Sequence, residues 1–371
     1  MKPRLADVVF RADASVAAGL GHVKRCLSLA HALRRRGAVC EFLMRESDVP
    51  TVALVVAEGF DARPLRARGG APGPGGDGAP ALAHASWLSG SQHEDAAATV
   101  EALRAAPPRW LVVDHYALDA RWHRPVANAL RCRLAAIDDL ADRELAVDVL
   151  IDHNHALDHR VKYAAWLPPS ATLLGGPRYA LLGGGYADAT PHCVGDRVES
   201  IGIFMGGTDA DGFAIAALRA CLDAGFEGRV EIAATTACPH LPRLQRLAAE
   251  RLATTVSVDL PELSGFFGRH GLQIGAGGGA TWERCCLGAP TIAVAVAANQ
   301  RQVLAPLAEL GVLWFVDDDT PLPTRLATAI RRLLSSPAQR RGLSQRARQL
   351  VDGHGADRVA ERLQFSPRTD A

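Results

Sequence analysis

Residues 201–209 have the sequence IGIFMGGTD, an apolar run followed by two glycines and two polar residues. A short run rich in isoleucine and phenylalanine, with no alternating polar residue, is typical of a strand buried on both faces. Glycine permits the tight turn that follows, and the amphipathic stretch at 211–224 predicts a helix directly after it. A buried strand, a glycine turn and a helix in this order predict one unit of a parallel α/β sheet.

The same order is repeated in both halves of the chain. The first half contains predicted strands at 8–10, 39–43, 110–113 and 134–137, and predicted helices at 21–36, 94–105 and 118–130. The second half contains predicted strands at 201–205, 229–235, 272–274 and 291–296, and predicted helices at 211–224, 280–287 and over most of 322–363. We therefore expect two Rossmann-like, doubly wound α/β domains, at 1–185 and 198–365, joined by a hinge at 186–197, with ligands bound in a cleft between the domains.

The composition is that of an ordinary globular protein. Of 371 residues, 48% are hydrophobic and 22% are charged, which is enough apolar material for two cores. The 41 basic residues nearly balance the 40 acidic ones, whereas a dedicated nucleic-acid binder normally has a strongly basic surface. No apolar run approaches the roughly 20 residues that span a bilayer, and Asp7 and Arg11 interrupt the first apolar stretch. We expect neither a nucleic-acid partner nor a membrane partner.

The cysteine pattern favours a reduced, cytoplasmic protein. Eight cysteines are scattered over the predicted elements without a CxxC pair, and the neighbours Cys285 and Cys286 are interpreted as core packing of a helix. We expect a monomer, because the predicted cleft is built within one chain. Residues 66–80 consist largely of glycine, proline and alanine, and they predict a mobile surface loop.

Three glycine-rich turns are predicted to join a strand to a helix, at Gly19–His22, Gly206–Asp209 and Gly275–Gly279. Glycine lets the backbone approach a ligand closely, and free N–H groups at a helix start favour negative charge. None of the turns is a Walker loop or a GxGxxG fingerprint. A single such turn usually only reverses the chain, but three at the carboxyl ends of strands predict phosphate or pyrophosphate binding.

His22 is the sharpest candidate for a catalytic group. A histidine at a helix N-terminus is kept neutral by the helix dipole, so at pH 7 it can accept a proton. Asp13, nine residues earlier at a strand end, is a candidate to orient the imidazole ring. The alternative is that His22 only caps or packs the start of the helix.

Acidic side chains follow two further strands. Asp114 precedes His115, and Asp138 and Asp139 are adjacent. Neighbouring residues at a strand end point in different directions, so we expect one carboxylate to cap the next turn and another to bind a substrate hydroxyl or amide. The sequence leaves open which carboxylate has which role.

Other polar residues have a functional and a structural interpretation. His155 and His159 are spaced to share a helix face, but no HExxH motif accompanies them, and we expect no metal. Glu283 is placed to accept the two hydroxyls of a ribose, or it is an ordinary capping glutamate. Asn299 and Gln300 open a predicted helix and can serve as its cap.

Taken together, these segments resemble the UDP-sugar hydrolases of pseudaminic acid biosynthesis, which release UDP from UDP-2,4-diacetamido-2,4,6-trideoxy-β-L-altropyranose. The resemblance runs in order from about residue 7 to residue 310. It is carried by Arg11–Asp13, Gly19–Leu27, Val113–Asp119, Asp138–Arg143, Gly206–Asp209, Gly275–Gly278, Thr281–Gly288 and Asn299–Gln300. That family is similar in fold to the two-domain GT-B glycosyltransferases, in which the carboxyl-terminal domain holds most of the nucleotide.

The resemblance implies a mechanism and a set of site residues. His22, supported by Asp13, would activate water to displace UDP from the anomeric carbon with inversion, without a metal or cofactor. The substrate would be a small-molecule UDP-sugar. The residues implied in binding it are Arg11, Gly21, Arg25, Asp114, Tyr116, Asp139, Gly207, Thr208, Gly277, Gly278, Thr281, Glu283, Asn299 and Gln300.

The chain departs from the family pattern at three places. His153 stands where the family has glutamine, Gly183–Gly185 replaces an Arg-Pro-Glu sequence, and the 66–80 loop is additional. Two other functions are consistent with the same fold. One is a UDP-sugar glycosyltransferase with an alcohol acceptor, and the other is a binding module for UDP-sugars without turnover.

Overall fold

The structure is a computed structural model that describes residues 5–15, 19–45, 50–65, 82–251, 253–316 and 321–363. The predicted loop at 66–80 lies outside the described residues. The chain divides into two compact units. The first comprises the chain up to Gly183 together with the segment from His354 onward, and the second comprises Gly184–Gly353.

The described strands are β1 Val8–Ala12, β2 Cys40–Met44, β3 Asp61–Pro64, β4 Trp110–Asp114, β5 Arg133–Ile137, β6 Val149–Asp152, β7 Thr172–Gly175, β8 Ser200–Phe204, β9 Arg229–Ala234, β10 Thr254–Val258, β11 Leu272–Ala276, β12 Thr291–Val294 and β13 Trp314–Val316. The described α-helices are α1 Gly21–Arg35, α2 Thr51–Ala57, α3 Gln92–Leu103, α4 Ala120–Leu130, α5 His159–Tyr163, α6 Phe213–Asp223, α7 Leu241–Ala249, α8 Ser264–Arg269, α9 Ala280–Leu287, α10 Ala298–Glu309, α11 Leu322–Leu334, α12 Pro337–Leu350 and α13 Gly355–Arg362.

The first unit is built on a parallel sheet with strand order β3-β2-β1-β4-β5-β6-β7. Alternate side chains of β1 serve two cores: Val8 and Phe10 pack with Leu29 of α1, whereas Val9 packs with Trp122 of α4. Because helices cover both faces, the central strands are buried throughout. The carboxyl ends of β1, β4, β5 and β6 are therefore neighbours along one edge.

The second unit has a parallel sheet with strand order β10-β9-β8-β11-β12-β13. Its core contains Ile203 of β8, Ile274 of β11 and Ile292 of β12, with Leu218 of α6 and Ile330 of α11 packed against them. The carboxyl ends of β8, β11 and β12 are adjacent, and the second and third glycine turns follow β8 and β11 there.

Two doubly wound, parallel α/β domains confirm the predicted fold class. The predicted boundary at 365 differs from the structure at its end, because α13 belongs to the first unit. Val359 and Leu363 lie in the same core as Leu33 of α1, and Arg35 forms an ion pair with Asp357. Burial of the apolar face of α13 against α1 holds this helix on the first unit.

The cysteine side chains and the hydrophobicity of the helices complete the description of the fold. All eight cysteines are free thiols. Among the described residues, no helix combines the length and apolar character needed to cross a bilayer.

Candidate functional site

The carboxyl edge of the first sheet gathers polar side chains from several loops. The first helix begins there with Gly21 and His22, because Gly19 adopts a left-handed conformation (φ 73°) that turns the chain after β1. Asp114 ends β4 and Asp139 follows β5. Parallel topology places these four positions together, although they are far apart in the sequence.

His22 and Asp114 form a close buried pair. The Nδ1 atom of His22 lies 2.5 Å from Oδ1 of Asp114, and the two residues are 7% and 0% exposed. A carboxylate only accepts, so Nδ1 carries the proton in this pair and Nε2 holds the lone pair. No described residue forms a hydrogen bond with Nε2 of His22. The site thus contains an imidazole whose tautomer is set for accepting a proton.

Arg25, one turn further along α1, neutralises the same carboxylate. Its Nε and Nη2 atoms donate to Oδ2 and Oδ1 of Asp114 at 2.5 and 2.6 Å. Burial alone would raise the pKa of Asp114, but Arg25 and then His22 hold that pKa well below its usual range. Asp114 therefore stays ionised and fixes both side chains.

A tyrosine and a tryptophan lie against the imidazole of His22. The Tyr116 hydroxyl donates to Oδ1 of Asp139 at 2.5 Å, and the rings of Tyr116 and Trp87 meet His22 edge-on with centroids 4.6 and 5.7 Å away. Burial raises the pKa of Tyr116 well above its usual value, so the phenol remains a hydrogen-bond donor. Asn154 donates to the second oxygen of Asp139 at 2.7 Å.

Asp13 has a different role from the predicted one. Both of its carboxylate oxygens accept from Arg11, at 2.6 and 2.8 Å, and Oδ1 also accepts from the backbone of Arg45. Asp114 makes the hydrogen bond to His22 that was predicted for Asp13. Arg11, predicted to bind substrate, is fully buried between Asp13 and Asp95. This ion-pair network ties β1 to the helix α3 that carries Asp95.

The structure separates the roles of the adjacent carboxylates. Asp138 accepts from the backbone of Leu140 and pairs with Arg143 at 2.5 Å, so it holds the turn after β5. Asp139 accepts a hydrogen bond from the Tyr116 hydroxyl, and its predicted contact with a substrate stays a prediction. His159 contacts the carbonyl of Asn154, and the described residues contain no group of three or more side chains placed to hold a metal.

His153 is a site neighbour whose chemistry the sequence did not reveal. It is 7% exposed, and its Nδ1 atom is buried without a partner in the described chain. Burial, and then the charge of Arg25, lowers the pKa of His153 to about 4, so the ring is neutral at pH 7. Trp87 was also missed, because it lies in a short 3₁₀ turn with no periodic signal.

The second unit presents backbone groups at its carboxyl edge. The turn after β11 leads into α9, and the N–H groups of Gly278 and Gly279 have no backbone or side-chain partner within the described residues. Gly207 and Thr208 occupy the turn after β8, where the Thr235 hydroxyl donates to the Gly207 carbonyl at 2.5 Å. Free amides at the start of a helix form a site for an anion.

Several predicted ligand contacts in this unit hold the turn together. The Gly277 N–H donates to the Val294 carbonyl and to Oε1 of Gln300, both at 3.1 Å, so this amide is already used. The buried Thr281 hydroxyl donates to the Ala276 carbonyl at 3.3 Å. Neither Gly277, Gln300 nor Thr281 is therefore free to bind a ligand through these groups.

Two other predicted residues lie at the rim of the turn. Asn299 is exposed in the first turn of α10. Glu283 is half-buried in α9 beside Tyr186, where burial and then the Glu283 carboxylate raise the pKa of that tyrosine.

Several solved structures have a similar fold, and some of them are glycosyltransferases by name. The crystal structure of MurG from Acinetobacter baumannii matches with a TM-score of 0.63 and 15% identity, over 96% of this chain and 99% of that one. The calicheamicin glycosyltransferase CalG4 matches with a TM-score of 0.64 and 16% identity, over 98% and 100%. Arabidopsis thaliana UGT89C1 complexed with UDP-L-rhamnose matches with a TM-score of 0.64 and 14% identity, over 98% and 100%.

These similarities show that the chain has the two Rossmann-like domains of GT-B glycosyltransferases. No family model matches the sequence, and no curated protein sequence matches it.

Proposed function

We propose that this protein is a metal-independent nucleotide-sugar hydrolase that releases UDP by attack of water on the anomeric carbon. The observation that carries the proposal is the buried pair of His22 and Asp114, 2.5 Å apart, with Nε2 of His22 left as a proton acceptor. The first unit would supply this base, and the second unit would hold the nucleotide.

The proposed step transfers one proton and exchanges one bond at the anomeric carbon. Water gives one proton to Nε2 of His22 while its oxygen bonds to the anomeric carbon, and the bond from that carbon to the diphosphate oxygen breaks. Asp114 stabilises the imidazolium that forms, because it accepts from Nδ1 throughout. Displacement from the opposite face gives inversion.

The small exposed area of the base favours water over a larger nucleophile. His22 is 7% exposed, and Trp87 and Tyr116 lie against its ring. A molecule of the size of water reaches such an atom more readily than a bulky alcohol does.

The amides after β11 suit the leaving group. N–H groups of Gly278 and Gly279 at the start of α9 can stabilise negative charge on a departing diphosphate. Two structures of similar fold contain related ligands: UGT89C1 was solved with UDP-L-rhamnose, and SpnG with thymidine diphosphate.

The resemblance of the motifs suggests the sugar. We propose UDP-2,4-diacetamido-2,4,6-trideoxy-β-L-altropyranose as substrate and a cytoplasmic role in pseudaminic acid biosynthesis. Neutral groups near the base, Tyr116, Asn154 and His153, supply hydrogen bonds of the kind that acetamido groups accept and donate.

A glycosyltransferase is the second candidate, and one surface feature favours it. Leu157, just before α5, is 96% exposed, and Val161, within α5, is 73% exposed. Both lie close in sequence to Asn154 and Lys162. Exposed apolar side chains beside a polar site are typical of a docking place for an acceptor.

One experiment separates the two candidates. The protein is incubated with a panel of UDP-diacetamido-trideoxyhexoses, and UDP, free sugar and its anomeric form are followed by NMR. We expect UDP and free sugar in equal amounts from one member of the panel without any acceptor. UDP release that requires an added alcohol would show a transferase, and no release under either condition would leave a binding module.

A further inference from the structure

Arg284 is a buried arginine that forms no ion pair with a carboxylate within the described residues. It lies in α9 and is 1% exposed. Its Nη2 atom donates to the carbonyl of Ala276 and to the hydroxyl of Thr281, at 2.6 and 3.2 Å. Its Nε and Nη1 atoms are buried without any partner in the described chain. Burial lowers the pKa of Arg284 to about 10, because the charge of neighbouring groups such as Glu283 offsets only part of the lost hydration.

The glycine turn is shaped around this guanidinium. A Cβ atom on Gly275 would overlap Nη1 of Arg284 and would lie 2.8 Å from the Phe204 carbonyl oxygen. The glycine at this position therefore makes room for the cation below the turn, at the end of β11. Gly278 and Gly279, with their free N–H groups, follow three and four residues later.

Arg340 shows what a satisfied buried arginine looks like in the same unit. It is also 1% exposed, but its guanidinium donates to the carbonyls of Leu333, Leu334, Gly195 and Asp196. Arg340 thus joins α11, α12 and the segment before β8. Arg284 is equally buried yet keeps two nitrogens unbonded, which has a free-energy cost that packing alone does not require.

We propose that Arg284 is a positioning residue that supplies positive charge beneath the glycine turn for a diphosphate bound on its outer face. The charge acts through the turn, and the guanidinium does not touch the ligand. The inference rests on the proposed function for the identity of the diphosphate as part of UDP. An anion above the turn stabilises the buried charge of Arg284. The free energy that this burial costs in the unliganded protein is therefore partly recovered when the diphosphate binds.

The test compares charge removal with charge retention. Arg284→Met and Arg284→Gln remove the charge, and the glutamine keeps an N–H donor for the Ala276 carbonyl. Arg284→Lys keeps the charge, and Arg340→Met is the matched control. Dissociation constants for UDP, uridine and inorganic pyrophosphate are measured by calorimetry, and melting temperatures are measured without ligand.

We expect both neutral variants to bind UDP and pyrophosphate about tenfold more weakly, the effect of removing one charge near the ligand. Uridine binding should change less than about twofold, and Arg284→Lys should stay within about threefold of the unmodified protein. The neutral variants should melt no lower than the unmodified protein, because they remove an unpaired buried charge. Arg340→Met should melt lower and bind all three ligands normally.

The remaining outcomes are equally decisive. Unchanged pyrophosphate binding in the neutral variants, an equal loss for uridine, or failure of both neutral variants to fold would overturn the role of Arg284. If the unmodified protein binds pyrophosphate but not UDP, the proposed function fails while the effect of Arg284 on the anion can still be measured. If it binds neither, both proposals fail.

Discussion

The two sheets present opposite kinds of chemistry at corresponding edges. At the carboxyl edge of the first sheet, titratable side chains are paired: His22 and Arg25 share Asp114. At the carboxyl edge of the second sheet, the groups available to a ligand are the backbone N–H groups of Gly278 and Gly279. Below them lies Arg284, whose Nε and Nη1 atoms have no hydrogen-bond partner among the described residues. Paired acids and bases can move a proton without a large change of net charge, whereas amides and an uncompensated cation attract an anion. The same architecture thus carries different chemical groups in the loops that follow the strands of its two sheets.

Removing the base should have the largest effect. His22→Gln keeps a donor for Asp114 but removes the proton acceptor, and we expect kcat for UDP release to fall about 10³-fold, the range for general base catalysis. His31→Gln, on the same helix, is the control, since His31 lies near the surface and contacts Glu58. A rate within twofold of the unmodified protein in His22→Gln would remove His22 as the base.

Two aspartates test which carboxylate orients the base. Asp114→Asn should lower kcat about 100-fold, because an amide no longer fixes the Nδ1-protonated tautomer. Asp13→Asn should change kcat about threefold, but it should lower the free energy of unfolding by about 3 kcal/mol, since Arg11 loses one of its two charged partners in a buried network.

The measurements are the kcat of both variants and their denaturant unfolding curves. The reverse order of the two kcat effects would restore the original assignment of Asp13 as the orienting group.

A methyl group added at Gly275, where β11 leads into the glycine turn of the second unit, tests how closely this region is packed. Gly275→Ala should lower the free energy of unfolding by about 2–3 kcal/mol, because the added methyl group meets Arg284 and the Phe204 carbonyl. Gly207→Ala should leave stability nearly unchanged, since its Cβ would lie 3.9 Å from Thr235 in ordinary contact. Urea unfolding of both variants is the measurement, and equal stabilities would contradict the close packing at Gly275.

Acid should destabilise the first unit through a histidine remote from the site. Burial lowers the pKa of His123 to about 3, far below the ordinary value near 6.5. The unfolded chain therefore binds more protons between pH 6.5 and about 3, so stability is lost as the pH falls through that range. At pH 5 this amounts to about 2 kcal/mol for one such group.

His123→Leu should reduce the difference between the free energies of unfolding at pH 7 and pH 5. His93→Leu, an exposed histidine of α3, is the control and should leave that difference unchanged. An equally steep pH dependence in His123→Leu would show that His123 is not the source.

Local pattern predicted several of the elements that are apolar and regular, although it missed the buried strand β6. The strand at Trp110–Asp114 and the helix at Ala280–Leu287 lie within one residue of their predicted bounds, because continuous burial and helical spacing are local signals. Edge strands were missed: β3, Asp61–Pro64, is mostly exposed, contains a proline and lacks the apolar run on which the prediction depended.

The sequence predicted which residues gather at the edge of the first sheet better than it predicted the hydrogen bonds between them. His22, Asp114, Tyr116 and Asp139 do come together at one edge. The predicted hydrogen-bond partner of His22 was wrong. The prediction chose Asp13 because it is near in sequence, whereas Asp114, which makes the contact, lies 92 residues away. The sequence also could not predict that two nitrogen atoms of Arg284 lack a hydrogen-bond partner, because this depends on the groups that surround the side chain in the fold.

The sequence by itself therefore determined two parallel α/β domains and the glycine-rich segments and polar residues, His22 among them, that follow their strands. Tertiary structure alone decided which carboxylate meets the imidazole, which amides stay free and which domain receives the final helix. Hydrophobic periodicity and glycine geometry are properties of neighbouring residues, whereas ion pairs and burial depend on segments that only folding brings together.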